Sequence, residues 1–303
     1  MTHQRKAVDS KVLSQVQYVA DSHRDLKTWD EIPSWQQDNE YILSGYRSVT
    51  GSFMGSYKSL GYIHNETINI YSHIFGAIIF LTMPVYIYWA LYLRYSLATT
   101  ADIVVFSTFF YGVSICFFLS ATYHITNNHS PKVQKFGNQL DYLGIVILMW
   151  GSTIPSIYYG FYCDPNLQRV YWVNVCVLAT LCIIATMHPQ FRHPTWRPYR
   201  AAMYAGLGLS AIVFVVHGIL LHGWTEQNQR MSLDWMGLVA FFNLTGAVIY
   251  AARLPEKLEP IKYDLYGSSH QILHVAVVLA GLAHMFGLFR AFDYRHTRGS
   301  VCM

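Results

Sequence analysis

Two histidines four residues apart, His270 and His274, open a stretch that is otherwise almost wholly apolar, "SSHQILHVAVVLAGLAHMFGLF" (Ser268–Phe289). On a helix this spacing puts both imidazoles on one face, roughly 6 Å apart along the axis, which suits a metal-chelating pair. A third histidine, His124, closes another apolar run in "SATYH", with Ser120 one turn earlier on the same helical face. Asp141 opens a further run in "LDYLGI". Three neutral imidazoles with a fourth position left open form the ligand set of a catalytic zinc rather than of a closed structural one. Zinc lowers the pKa of its bound water to about 7 and so supplies hydroxide at neutral pH. Asp141 would accept a proton from that water or orient it. Ser120 would hydrogen-bond the water or a substrate carbonyl. The competing account is that each histidine satisfies a neighbouring group in the packing. The convergence of four polar groups at one depth of a membrane, where an unpaired polar group is costly, weighs against it.

That convergence depends on the elements that carry these residues. The chain has 303 residues, of which 53% are hydrophobic and 13% charged, where soluble domains carry about 25% charged. Apolar runs near 70–93, 101–124, 140–162, 169–187, 200–222, 233–252 and 269–291 are long enough to span a bilayer. The expected fold is all-α, a seven-transmembrane helix bundle with short connections and no second domain. Pro84 and Pro155 fall inside spans, where kinks are tolerated. Loops 2–3, 4–5 and 6–7, with the segment just before span 1, carry ten Lys and Arg, and the opposite side carries six. The positive-inside rule then predicts a cytoplasmic N-terminus and an extracellular or lumenal C-terminus. In this orientation His124, Asp141, His270 and His274 lie at the cytoplasmic end of their spans. Four segments are expected: a disordered cytoplasmic tail over 1–28, a cytoplasmic or interfacial segment over 29–67, the membrane domain over 68–292, and a short non-cytoplasmic tail over 293–303. No cleavable signal peptide is visible, so span 1 would act as the targeting signal. Plasma membrane and endoplasmic reticulum both fit.

The same features exclude other classes. The net charge of +4 has no basic block, so no nucleic-acid partner is expected. A cytoplasmic N-terminus, with no Asp-Arg-Tyr closing span 3 and no Asn-Pro-x-x-Tyr in span 7, argues against a G-protein-coupled receptor, and no G protein is expected as partner. The five cysteines lack CxxC spacing, and three lie in or near apolar runs, which favours buried thiols over a disulfide framework. "WDEIPSW" (Trp29–Trp35), with Ile32, reads as a piece lying at the headgroup level. His284 lies about 21 Å along the helix from His270, too far to share a metal. It reads as a bundle-packing or outer-pocket residue, and the lone His217 as structural. His64, Glu66 and His73, around the start of span 1, read as structural more than as supports or a cap for the histidine site. His188 and His193 belong to a basic 4–5 loop. The sequons at Asn65 and Asn243 read as chance matches.

The ordered set of motifs resembles the progestin and adiponectin receptor family, which includes haemolysin III-type proteins. It comprises "DNEYILSGYR" (Asp38–Arg47), "HNETINIYSHIFG" (His64–Gly76), Ser120-x-x-x-His124, Asp141 and His270-x-x-x-His274. "YYGFYC" (Tyr158–Cys163) and "GLGLS" (Gly206–Ser210) add a likeness to the adiponectin-receptor branch, which includes fungal members linked to zinc and lipid homeostasis. The resemblance runs from about residue 29 to residue 291. It implies seven helices with the N-terminus inside, and zinc held by His124, His270 and His274, with Asp141 and Ser120 near the zinc-bound water. It also implies hydrolysis of lipid amides, as in alkaline ceramidases, with a ceramide or fatty acid in the membrane as ligand.

Two functions follow. One is a zinc-dependent, ceramidase-type lipid amide hydrolase. The other is a signalling receptor or homeostasis factor with a structural or sensed zinc and an unknown extracellular ligand. A zinc or proton transporter is weaker, because such sites sit near the bilayer midplane at a repeat interface.

Overall fold

The computed structural model describes residues 26–90, 96–189, 194–297 and 302. A two-stranded antiparallel ribbon, β1 (Leu26–Lys27) and β2 (Tyr46–Arg47), and a short helix α1 (Phe53–Lys58) come first. Among the described residues seven long helices follow: α2 (Thr67–Ala90), α3 (Thr100–Thr126), α4 (Pro131–Gly160), α5 (Pro165–Met187), α6 (Arg197–Met231), α7 (Leu233–Ala252) and α8 (Ser269–Thr297). Each contains a stretch long and apolar enough to cross a membrane. The chain is thus an all-α, integral multi-pass membrane protein with seven spans.

Three helices outrun the apolar stretches that mark them in sequence. α4 begins at Pro131, nine residues before the apolar run, because "PKVQKFGNQ" continues the helix in polar residues. Its first residue is a proline, whose missing N–H costs nothing at that position. α6 runs on to Met231 through a break at Gly223, where φ of 77° is open to glycine but strained for other residues. α8 continues to Thr297. Apolarity marks where lipid ends, whereas the hydrogen-bonded helix carries on beyond it.

The chain divides into two compact units. The larger comprises 73–120, 138–243 and 277–303. Its core is aromatic, with Phe80, Phe109, Phe117 and Phe292 buried and Phe80 meeting Phe109 edge to face at 5.8 Å. α3 and α4 meet along a seam of small residues. A Cβ on Gly144 would stand 2.9 Å from Cys116 Cα, one on Gly112 would stand 3.1 Å from the Ile147 carbonyl oxygen, and one on Gly151 would collide with the Thr108 carbonyl oxygen. Glycine at these positions lets two backbones approach, as is usual where helices pack in lipid. Thr99 and Asp102 start α3 with a reciprocal cap. Thr99 N and Oγ1 donate to Asp102 Oδ2 at 2.9 and 2.6 Å, and Asp102 N donates to Thr99 Oγ1 at 3.3 Å. Tyr159 adds its hydroxyl to Asp102 Oδ1 at 2.7 Å.

The cysteines correct the expectation of free buried thiols. Cys163 and Cys302 form a disulfide, while Cys116 and Cys182 are buried thiols and Cys176 is exposed. The two bonded residues lie 139 positions apart, so no local spacing announces the bond. His284 packs on Phe109 and contacts the Ser152 carbonyl oxygen through Nε2 at 3.1 Å, and His217 Nδ1 contacts the Tyr171 hydroxyl at 2.5 Å.

The smaller unit comprises the described part of 1–72, with 121–137 and 244–276. Of the expected N-terminal tail, residues 1–25 lie outside the described residues, as does His193 of the 4–5 loop. Leu26–Thr28 belong to ordered structure: β1, then a capping box in which Thr28 N donates to Glu31 Oε2 at 2.8 Å. Ile32 of "WDEIPSW" points inward. It is buried with Ile42 and Tyr46, and Trp29 packs against them. This gives the N-terminal segment a small core of its own.

Candidate metal centre

The smaller unit brings together the end of α3 and the start of α8. His124 lies in the last turn of α3, and His270 and His274 in the first two turns of α8. One donor atom from each of the three lies within 4.8 Å of the others. His270 Nε2 and His274 Nε2 face each other at 3.0 Å. The His124 ring meets the His270 and His274 rings edge-on at 5.2 and 4.7 Å. His124 and His274 are buried and His270 is partly buried.

These residues fit a metal ion. Tetrahedral nitrogen ligands about 2.0–2.1 Å from zinc stand about 3.3 Å apart, and the His270–His274 separation is already close to that. His274 Nδ1 lies 3.2 Å from the Asn69 carbonyl oxygen, and His124 Nδ1 lies 2.8 Å from Glu66 Oε2. These two imidazoles thus each have an acceptor on the far side of the ring, the pattern found behind metal-bound histidines. The group can hold a metal ion.

Each helix end is fastened by the polar segments around it. Glu256, fully buried, accepts from Ser269 N at 2.8 Å, from Ser269 Oγ, and from Asn39 Nδ2 at 3.0 Å. A carboxylate at the first turn of α8 meets the free N–H groups and the positive end of the helix dipole. Gln271 Nε2 donates to the Asn65 and Leu265 carbonyl oxygens at 3.0 and 2.9 Å, and its Oε1 accepts from Gly267 N at 2.6 Å. Asp264 accepts from Leu43 N at 3.1 Å and Ser44 Oγ at 2.7 Å. Burial pushes the Asp264 carboxyl up to about 6, against these hydrogen bonds, which lower it.

The end of α3 is held by Arg47 of β2, which is 2% exposed. Its guanidinium donates to the His124 and Ile125 carbonyl oxygens at 2.6 and 3.0 Å, to Asn127 Oδ1 at 2.6 Å and to Ser59 Oγ at 2.7 Å. A planar cation thereby satisfies two of the unpaired carbonyls that close a helix. Burial lowers its pKa to about 10, so it stays charged at neutral pH. His64 is kept neutral, its pKa lowered to about 3 by burial and by Arg47, and its Nδ1 accepts from Glu66 N at 3.1 Å.

The sequence-derived site residues divide between the two units. His124, His270 and His274 come together in the smaller. Ser120 and Asp141 belong to the larger: Ser120 is buried one turn before His124 on α3, and Asp141 is half-buried on α4. Arg47 and Glu256 do not stand out in sequence as neighbours of the histidines. Glu66, weighed there as structural more than as a support or cap for the site, holds His124 directly. The one signal that could have found it is its place in the block "HNETIN", beside His64, just ahead of a span.

The chain is thus a seven-span membrane protein that brings three histidines together at the end of α3 and the start of α8. The haemolysin-III related family profile matches residues 61–285. The chain is 37% identical to the ADIPOR-like receptor IZH2 of Saccharomyces cerevisiae over 275 residues, covering 91% of this chain and 86% of that protein. It is 34% identical to the adiponectin receptor protein of Drosophila melanogaster over 267 residues, covering 88% of this chain and 60% of that protein. Identity to the progestin and adipoQ receptor-like protein 1 of Caenorhabditis elegans is 37% over 260 residues, covering 86% and 59%. The chain belongs to the adiponectin-receptor and haemolysin-III family. It spans less than two thirds of the length of the fly and worm relatives.

Proposed function

We propose that His124, His270 and His274 bind zinc and that the protein hydrolyses ceramide-like lipid amides, acting in lipid and zinc homeostasis. The observation that carries this is the convergence of three imidazole nitrogens from two helices within 4.8 Å. Three ligands leave room for a fourth, as catalytic sites require. Bound zinc would supply Lewis acidity toward a carbonyl oxygen and a nucleophile at neutral pH. In this reading Asp141 takes up the proton and Ser120 hydrogen-bonds the substrate carbonyl, roles that rest on spacing and resemblance. The apolar helices hold the acyl chain. The N-terminus is cytoplasmic, by the distribution of Lys and Arg, in the plasma membrane or the endoplasmic reticulum.

The fastening of the N-terminal segment to the end of α3 through Arg47 favours a second reading. Here zinc is structural, and an extracellular ligand or a membrane lipid alters signalling through that segment.

Elemental analysis of purified wild type beside His274→Ala tests the metal, and release of fatty acid from ceramide by wild type beside Asp141→Asn tests the reaction. About one zinc per wild-type chain, little in His274→Ala, and turnover lost in Asp141→Asn with zinc retained is the expected result. Zinc without turnover in wild type transfers the case to the receptor reading. A folded wild type without zinc ends both.

A further inference from the structure

His124 and His274 each turn one ring nitrogen toward the three-histidine group and the other toward a single turn of chain. The two acceptors are the Glu66 carboxylate, 2.8 Å from His124 Nδ1, and the Asn69 carbonyl oxygen, 3.2 Å from His274 Nδ1. Both lie in "ETIN" (Glu66–Asn69), which opens α2. A carbonyl oxygen cannot donate, and neither can an ionised carboxylate. Each therefore selects the imidazole with its proton on Nδ1 and leaves the Nε2 lone pair for a ligand.

The carboxylate is itself held on both oxygens. Asn69 Nδ2 donates to Glu66 Oε2 at 2.6 Å, and Asn127 Nδ2 donates to Oε1 at 2.9 Å. Asn127 is in turn bonded through its Oδ1 to Arg47. These partners leave the Glu66 side chain little freedom, so the position of the His124 ring is set by groups fixed elsewhere. A carboxylate has about four acceptor sites, so the two amides leave room for a third partner. The third partner, an imidazole of the metal-binding group, gives it a further role.

We infer that Glu66 is a positioning residue for the metal centre, and that the Glu66–Asn69 turn fixes the tautomer of two of its three histidines. This rests on the reading of His124, His270 and His274 as metal ligands. Loss of an acceptor behind a metal-bound histidine weakens metal affinity by about 10–100-fold.

The test uses the full chain in lipid nanodiscs, with zinc affinity read by chelator competition and Co2+ absorption as a report on ligand geometry. Wild type, Glu66→Ala, Glu66→Gln, Asn127→Ala and His274→Ala are compared. Glu66→Ala is expected to lose about 10–100-fold in zinc affinity with an altered Co2+ spectrum. Glu66→Gln, which keeps an acceptor oxygen without the charge, should lose less, and Asn127→Ala less again. Should Glu66→Ala not fold, Glu66→Gln carries the test, with any weakening beyond that of Asn127→Ala as the expected sign. If wild type binds zinc, His274→Ala does not, and the folded Glu66 variants match wild type in affinity and spectrum, Glu66 has no positioning role while the metal reading stands. If wild type binds no zinc, the metal reading fails and takes this inference with it.

Discussion

Replacing Arg47 with Met should loosen the end of α3 while leaving most of the helices intact. The guanidinium makes four hydrogen bonds, two of them to main-chain carbonyls at the His124 turn. Hydrogen bonds to a charged group contribute about 1.5–3 kcal/mol each, so four give about 6–12 kcal/mol. Burying the cation costs several kcal/mol in return, and removing one partner from such a buried network typically costs about 3–5 kcal/mol. Met fills similar volume, so little of the loss comes from a cavity. At the lower figure, local opening of this region becomes about 100-fold more frequent, since each 1.4 kcal/mol is about tenfold. Amide hydrogen exchange reads that directly, because it reports the free energy of local opening. Exchange at residues 121–128 and 46–59 should accelerate by about 100-fold in Arg47→Met, with residues 140–160 little changed. Acceleration of less than about threefold at 121–128 would refute the assignment of Arg47 as the clamp on this helix end.

Asp264 gives a pH prediction. Its folded pKa of about 6 lies above the ordinary carboxylate value. Between about pH 4 and 6 the folded chain therefore holds a proton that the unfolded chain has released. The stability tied to that proton is fully present below about pH 4 and is lost as pH rises through 6, up to about 3 kcal/mol. Thermal unfolding in detergent at pH 5 and 7 should show a smaller drop for Asp264→Asn than for wild type; equal drops would remove Asp264 as the source. In the α3–α4 seam, Gly151→Ala sets a methyl against the Thr108 carbonyl and should cost about 1–3 kcal/mol. A melting temperature equal to wild type would show that the helices can part without cost.

The helical architecture was largely legible because lipid imposes a simple rule on composition. All seven spans follow from runs of apolar residues, and the errors lie at helix ends that leave the apolar region, as at Pro131 and Met231. The three histidines were legible because two of them share a helical period and the third has its serine one turn away. Of what surrounds them, only Glu66, His64 and His73, beside span 1, were weighed as supports, and no contact was assigned. Glu66 reaches His124 across 58 residues, and Asn39 reaches Glu256 across 217. Such contacts follow no local period, so spacing carries no trace of them. The burial of Ile32 with Ile42 and Tyr46 was not legible either, because it depends on a turn of the chain.

The Cys163–Cys302 bond closes a covalent ring that contains α5, α6, α7 and α8. A single cut by a protease in any connection within that ring opens it without dividing the molecule. The two pieces would travel together in a denaturing gel and separate only when reductant is added. Four of the seven spans are therefore insured against one backbone break, and α2, α3 and α4, which lie outside the ring, are not.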